Sequence, residues 1–176
     1  MKLHLGCGKK YLNGFINIDA LEDVNPDIVD NVGTLNNFKS NSCDLIYACH
    51  VLEHFGRNEY KNVLKRWFDL LKENGVLRIS VPDIESCINY YNKTQDLSKL
   101  LGFFWGGQNN KYNFHYMGWD FKSIENDLLS IGFKKIYKYN WKNTEHSNID
   151  DFSQAYLPHM DKENGMLMSL NIEAIK

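Results

Sequence analysis

The feature that most constrains the fold is an amphipathic helix lying between two buried strands. Residues 59–72 repeat apolar side chains with the period of an α-helix, at Tyr60, Val63, Leu64, Trp67, Phe68 and Leu71. Short apolar runs flank this segment at residues 44–49 and 76–81, and the second run stops at Pro82. Such runs are typical of buried strands. The strand–helix–strand order favours an α/β fold whose main sheet is parallel.

Further strands and two more helices continue the alternation. Short apolar runs predict strands at residues 2–5, 15–19, 28–29, 133–139 and 166–175. A helix is predicted after Asp83, with the apolar side chains of residues 84, 87, 88 and 91 on one face, and another from about Asp120 to Ile131, ending at Gly132. Both aspartates are suitable N-caps. Asn58 is the predicted cap of the helix over residues 59–72, and the Asn74-Gly75 pair is its predicted end.

The length of 176 residues fits a single domain over residues 1–176. Residues 140–165 form a polar insertion without periodicity between the last two predicted strands. We interpret this insertion as a lid over a ligand site or as a contact in a homodimer.

Charge and hydropathy exclude several classes of partner. A net charge of -2 gives no basic surface for nucleic acid. No apolar run approaches the ~18 residues that a membrane span needs. The first residues lack the charged region, apolar stretch and cleavage site of a signal peptide, so we expect a cytoplasmic protein. The four cysteines have no Cys-x-x-Cys spacing and are expected to be buried thiols.

A glycine turn and a carboxylate follow the first two strands. Gly6-Cys7-Gly8 comes after the first strand, and Asp19 ends the second. In an open α/β sheet, ligands bind beyond the carboxyl ends of the strands. Glycine lets the backbone approach a ligand closely, and a carboxylate can accept hydrogen bonds from a ribose diol. Each feature alone also fits an ordinary tight turn or a solvated acid.

The spacing of these residues argues against a dinucleotide. The dinucleotide fingerprint has a third glycine where Tyr11 stands, and its acid comes about 20 residues later. Asp19 follows Gly8 by 11 residues. Residues 9–14 leave no room for a helix that would cradle a pyrophosphate. A nucleoside ligand without a diphosphate fits better, and a nicotinamide-dependent oxidoreductase is the rival interpretation.

Four segments, at residues 3–8, 15–19, 43–55 and 71–83, carry a family resemblance. Together they resemble the class I S-adenosylmethionine-dependent methyltransferases, above all the short type 11 members often encoded near surface-polysaccharide genes. The resemblance implies a Rossmann-like, mostly parallel seven-stranded sheet with a C-terminal antiparallel hairpin. It also implies S-adenosyl-L-methionine as the cofactor. The N-terminal helices of larger relatives are expected to be absent.

The resemblance also implies which residues contact the cofactor. The methionine part would face Gly6, Cys7 and Gly8, and Asp19 would hold the ribose. The adenine would lie near Asp30, Asn31 and Val32, and the sulfonium near Cys49 and His50. Lys9 or Lys10 could pair with the cofactor carboxylate, although a solvated lysine is the simpler interpretation.

The chain departs from many relatives at two positions. His4 stands where they carry an acid, and Lys10 stands where they carry a third glycine. These departures keep a non-catalytic, methyltransferase-like binding module as a second rival interpretation.

Histidines after the central strand are candidates for catalysis. Methyl transfer needs mainly proximity and alignment, and a hydroxyl acceptor also needs a base that histidine can supply at pH 7. His50, Glu53 and His54 would share one face if their segment were helical. We interpret them as a base (His50 or His54), as a metal site for which two imidazoles favour a transition ion, or as support for the cofactor loop. No metal is assigned on this pattern.

Residues 102–119 are rich in glycine, asparagine and aromatic side chains. Within them, Gln108, Asn109, Tyr112 and His115 could recognise a polar acceptor, and His115 completes the candidate catalytic set. A packed surface loop is the alternative. The sequence predicts methyl transfer to a small-molecule or glycan acceptor, for example a sugar hydroxyl or a glycan precursor.

Overall fold

A seven-stranded sheet forms the centre of the protein, which we describe from a computed structural model covering residues 1–176. Its strands are β1 (Lys2–Leu5), β2 (Ile16–Asp19), β3 (Ile28–Val29), β4 (Cys43–Cys49), β5 (Leu71–Pro82), β6 (Lys135–Lys138) and β9 (Ser169–Ile175). Their order is β3-β2-β1-β4-β5-β9-β6. The first five are parallel to one another, and β9 runs antiparallel to both β5 and β6. The predicted Rossmann-like sheet with its reversed C-terminal hairpin is therefore confirmed.

A separate small hairpin interrupts the last predicted strand. It consists of β7 (Tyr156–Leu157) and β8 (Met166–Leu167), which pair antiparallel. The single strand predicted over residues 166–175 is therefore wrong at its start. Its first two residues pair within the insertion, and β9 begins at Ser169.

Four helices accompany the sheet: α1 (Tyr60–Leu70), α2 (Ile84–Thr94), α3 (Leu101–Trp105) and α4 (Phe121–Ile131). Two predicted caps are confirmed. Asp83 accepts hydrogen bonds from the first turn of α2, and Asp120 forms a capping box with Ser123 in α4. None of the four combines the length and the apolar character that crossing a bilayer requires.

The predicted ends of the first helix are wrong. Its N-cap is Glu59, which makes no side-chain capping bond, so Asn58 does not cap it. The helix ends at Leu70 because the fully buried Leu71 already pairs with Cys43 in the sheet. Residues 72–75 then make the irregular stretch before regular pairing resumes. Sheet pairing therefore ends the helix before the Asn-Gly signal is reached.

The two faces of the sheet are covered differently. Alternate residues such as Leu3 and Leu5 face a 26-residue apolar cluster that includes the buried sides of α1 and α4. In this layer the fully buried Trp67 donates a hydrogen bond from its indole nitrogen to the carbonyl of Val32, at 2.8 Å.

Residues from the 140–165 insertion pack on the other face. There Tyr47 stacks between His4 and His146, with ring centroids 5.3 and 4.3 Å away. The hydroxyl of Tyr47 donates a hydrogen bond to the Asp151 carboxylate at 2.7 Å. The insertion thus provides packing for the sheet, while its role in a homodimer stays a prediction.

Candidate active site

Two clefts meet at the carboxyl ends of β1 and β4, where the strand order reverses. The Asp19 cleft has a volume of about 540 Å³, and its lining includes Asp19, Leu21, Asp30, Asn31, Val32 and Phe55. The His115 cleft has a volume of about 520 Å³, and its lining includes Cys7, Lys9, Lys10, Cys49, His115 and Phe152. Both clefts share Gly6, Gly8, His50, His54 and Asn113. A single elongated ligand could therefore occupy both.

The glycine turn after β1 has a backbone that favours glycine. Gly6 and Gly8 have φ angles of 61° and 49°, in the left-handed region. A Cβ atom on Gly6 would lie 2.5 Å from Cγ2 of Val51. Both space and conformation therefore restrict Gly6 to glycine, and the bare turn forms part of the floor of both clefts.

Asp19 is held in place by the backbone around it. Its Oδ2 accepts a hydrogen bond from the Gly8 amide at 2.8 Å, and its Oδ1 accepts one from the Leu21 amide at 2.9 Å. The residue is 9% exposed. Because each carboxylate oxygen can accept a second bond, both oxygens can still receive hydroxyl donors from a ligand.

The loop after β3 adds a polar group and apolar surface to the Asp19 cleft. Asp30 Oδ1 accepts a bond from the Asn31 amide at 2.7 Å, while its Oδ2 is buried without a partner. Buried carboxylate oxygens normally have a donor, so a donor from a ligand would complete this site. Leu21, Val32 and Phe55 supply the apolar walls. Sequence reasoning missed Phe55, although it directly follows the candidate histidine His54.

His50 begins the loop after β4 and has a left-handed φ of 53°. Its ring Nε2 lies 2.9 Å from the hydroxyl of Ser169 on β9, and its Nδ1 lies 3.2 Å from Oε1 of Glu53. Burial, with the nearby His115 and His54, lowers the pKa of His50 to about 3, so the ring is neutral at pH 7. Nothing in the sequence could indicate Ser169, which is 119 residues away.

Glu53 is fully buried, and neither of its carboxylate oxygens has a hydrogen-bond partner. Burial raises its pKa to about 8. His115 Nε2 approaches Glu53 Oε1 to 3.9 Å. The segment Leu52–His54 is a short 3₁₀ turn and His50 lies outside it, so the helical condition of the sequence analysis is not met. The side chains of His50 and Glu53 nevertheless meet, because the backbone turns sharply after β4.

Backbone carbonyls orient the other two imidazoles. His54 Nδ1 donates to the carbonyl of Phe114 at 3.0 Å, and His115 Nδ1 donates to the carbonyl of Phe103 at 2.9 Å. Burial lowers the pKa of both histidines, which keeps the rings neutral at pH 7.

Comparison with known proteins finds similarity to methyltransferases. A family described as a methyltransferase domain matches residues 8–79, from the glycine turn into β5. The fold also matches solved S-adenosylmethionine-dependent methyltransferases. The chain is therefore similar to the class I S-adenosylmethionine-dependent methyltransferases, in sequence over residues 8–79 and in fold over its whole length. No curated protein matches it in sequence.

Three solved methyltransferases illustrate the likeness in fold. The enzyme from Archaeoglobus fulgidus is 15% identical with a TM-score of 0.59, and the match covers 99% of this chain and 85% of that one. The enzyme from Thermotoga maritima is 16% identical with a TM-score of 0.60, covering 99% and 81%. The enzyme from Mesorhizobium loti is 14% identical with a TM-score of 0.56, covering 99% and 90%. At such identities the likeness establishes the fold alone.

The residues predicted to contact the cofactor all line one or both of the two clefts. They are Gly6, Cys7, Gly8, Asp19, Asp30, Asn31, Val32, Cys49 and His50. The catalytic candidates His50, His54 and His115 all line the His115 cleft. The structure thus brings the predicted residues together, while their individual roles stay predictions.

The predicted acceptor-binding residues separate into two groups. His115 lines the His115 cleft, whereas Tyr112 lines the Asp19 cleft. Gln108 and Asn109 are exposed and line neither cleft. From the insertion, Asp151 lines the His115 cleft beside Phe152.

Proposed function

We propose that this protein is a methyltransferase that binds S-adenosyl-L-methionine across the two clefts. The adenosine occupies the Asp19 cleft, and the methionine part lies over the glycine turn towards the His115 cleft. The observation that carries this proposal is the Asp19 carboxylate, which is fixed by two amides and keeps an acceptor site on each oxygen for the ribose diol. The Oδ2 of Asp30 has no hydrogen-bond donor, and the adenine amino group could supply one. This supports placing the adenine in the Asp19 cleft.

The acceptor then occupies the remainder of the His115 cleft. We assign it as a small polar molecule, such as a sugar or a glycan precursor with a free hydroxyl. The size of this cleft suits a small molecule, at about 520 Å³ shared with the methionine part. Polar side chains of Lys9, Asn113 and Asp151 line it together with the aromatic rings of Phe103 and Phe152. Such a combination of polar groups and ring faces suits a sugar.

The reaction is a displacement at the methyl carbon. The acceptor oxygen attacks that carbon, the bond from carbon to sulfur breaks, and S-adenosylhomocysteine leaves. The hydroxyl proton passes to a neutral imidazole. Both ring nitrogens of His50 already face Ser169 and Glu53. We therefore assign the proton to His54 or His115, whose rings are held through Nδ1 by backbone carbonyls.

The cofactor assignment is tested by replacing Asp19 with alanine and titrating S-adenosylhomocysteine by calorimetry. We expect a loss of about 1.5–3 kcal/mol in binding free energy, or roughly 10- to 150-fold in Kd, as for hydrogen bonds to a charged group. The exposed neighbour Asp23 provides the control, because Asp23→Ala removes a charge outside both clefts. Equal affinity of Asp19→Ala and the wild type would place the ribose elsewhere.

Two further measurements separate the rival functions. Titration with NAD tests the oxidoreductase, since tight NAD binding without S-adenosylhomocysteine binding would reject our proposal. Incubation with the cofactor and a panel of sugars and nucleotide sugars, followed by mass spectrometry, tests the acceptor. A protein that binds the cofactor but methylates nothing in a broad panel would be a binding module instead.

A further inference from the structure

Four side chains at the junction of the clefts form a cluster in which several hydrogen-bond acceptor atoms have no donor. We call His50, Glu53, His54 and His115 the His–Glu cluster. A carbonyl oxygen can only accept a hydrogen bond, so a ring nitrogen beside one must carry the proton. Nδ1 of His54 and Nδ1 of His115 both lie beside backbone carbonyls. In both neutral rings, Nε2 is therefore an unprotonated lone pair.

The same reasoning applies to His50. The hydroxyl of Ser169 donates to the carbonyl of Phe152, so its oxygen accepts the proton on His50 Nε2. This leaves a lone pair on His50 Nδ1, which lies 3.2 Å from Oε1 of Glu53. Two acceptor atoms at this distance repel each other unless a proton or a metal cation lies between or beside them.

The burial of Glu53 strengthens the need for a proton or a cation in this cluster. Its side chain is 0% exposed and neither oxygen accepts a hydrogen bond. A buried carboxylate without a partner is strongly unfavourable, because burial removes its hydration and nothing replaces it. Either a proton or a metal cation must neutralise the cluster.

We propose that Glu53, His54 and His115 bind a divalent transition-metal ion of the zinc type. One carboxylate oxygen of Glu53 and one nitrogen of each imidazole lie within 4.8 Å of one another. Ligand atoms on a tetrahedral zinc ion lie about 3.4 Å apart, so side-chain shifts of about 1.5 Å would close the site. Two imidazoles and one carboxylate form a donor set typical of catalytic zinc and other transition ions.

The surroundings of the ligands support a metal ion over a proton alone. Metal-binding histidines usually donate their second ring N–H to a carbonyl or carboxylate, which fixes the ring. Both His54 and His115 do so. Because both also line the His115 cleft, the remaining coordination position faces the acceptor. Water or an acceptor hydroxyl would take that position, and the ion would lower the pKa of the bound oxygen. With the metal bound, His54 and His115 hold the ion and no longer serve as the base, so the proton of the acceptor hydroxyl would leave to solvent.

This inference goes beyond the proposed function and is tested without the cofactor. Protein stripped with a chelator is titrated with Co²⁺, whose visible absorption reports a site of low coordination number, and then with Zn²⁺ as a competitor. We expect one Co²⁺ per chain and its displacement by Zn²⁺. Glu53→Gln and His115→Ala should each weaken binding by about 100-fold or more, because each removes a ligand. His159→Ala, at an exposed histidine outside the cluster, should bind like the wild type.

Binding of S-adenosylhomocysteine to each variant shows that it is folded, and it separates this inference from the proposed function. Absence of saturable Co²⁺ and Zn²⁺ binding to wild-type protein that still binds S-adenosylhomocysteine would overturn the metal site. Equal metal affinity in the wild type and in folded Glu53→Gln or His115→Ala would also overturn it. In either case a proton on Glu53 neutralises the cluster, and His54 and His115 remain free to act as the base.

Discussion

The buried ring of His146 should make the stability of this protein depend on pH. The residue is 5% exposed, and neither ring nitrogen has a hydrogen-bond partner. Its ring packs 4.3 Å from Tyr47 and edge-on to Phe15 at 6.2 Å. Burial lowers the pKa of His146 to about 4, and the positive charges of Arg78 and His4 act in the same direction. The carboxylates of Asp151 and Glu145 oppose this shift.

The direction and size of this pH dependence follow from the linkage between folding and protonation. Below pH 6.5 the unfolded chain protonates this histidine, while the folded chain keeps it neutral down to about pH 4. The unfolded state therefore binds more protons in this window, and the free energy of unfolding falls as the pH falls. At 1.36 kcal/mol per pKa unit, His146 should contribute a loss of about 2 kcal/mol between pH 7.5 and pH 5.

The test is His146→Phe, which keeps an aromatic ring in the stack and removes the titrating nitrogens. Urea unfolding followed by tryptophan fluorescence at pH 7.5 and pH 5 gives the free energies. At pH 7.5 the variant should equal or exceed the wild type, because two unpartnered polar atoms are removed from the interior. At pH 5 its advantage should grow by about 2 kcal/mol. The other buried histidines are common to both proteins and cancel in the difference.

His159→Phe, at an exposed histidine, serves as the control and should leave the pH dependence unchanged. If His146→Phe and the wild type lose the same free energy between the two pH values, the ring is not held neutral by burial. A large loss of stability at pH 7.5 would show that a ring nitrogen makes a necessary hydrogen bond.

Two further substitutions test the local structure. Gly6→Ala should destabilise the fold by more than about 2 kcal/mol and abolish tight S-adenosylhomocysteine binding, because a left-handed φ and a contact of 2.5 Å with Val51 act together. The control is Gly14→Ala, because Gly14 has a φ of 82° but open space around its Cβ position. It should lower the free energy of unfolding by about 1–2 kcal/mol and leave binding unchanged. If the two variants lose the same stability and affinity, the Val51 contact has no effect. Asp120→Ala should lower the free energy of unfolding by about 1 kcal/mol, since the capping box of α4 is lost, whereas Asp120→Asn should retain most of it. Thermal unfolding checks both, and an Asp120→Ala protein as stable as the wild type would show that the cap is not needed.

Local signals predicted most of the elements correctly. Local periodicity in the sequence shows which side chains face the interior. It therefore predicted the strands β1, β2, β4 and β5 and the helix α1. Asp83 and Asp120 cap helices because the bonds they make reach only two or three residues ahead. Errors occurred where a distant partner decided the outcome, as at Leu71, which leaves the helix to pair with Cys43.

The chain by itself determined the turn and the carboxylate of the candidate site, because loops after neighbouring parallel strands must lie at the same edge of the sheet. Only the tertiary structure decided that Ser169 meets His50 and that His115 approaches Glu53. It also decided that the insertion packs on the sheet, where His146 stacks on Tyr47. These contacts join residues far apart in the chain, and their energies come from burial and hydrogen bonding that exist only once the sheet has closed around them. No short stretch of sequence contains that information.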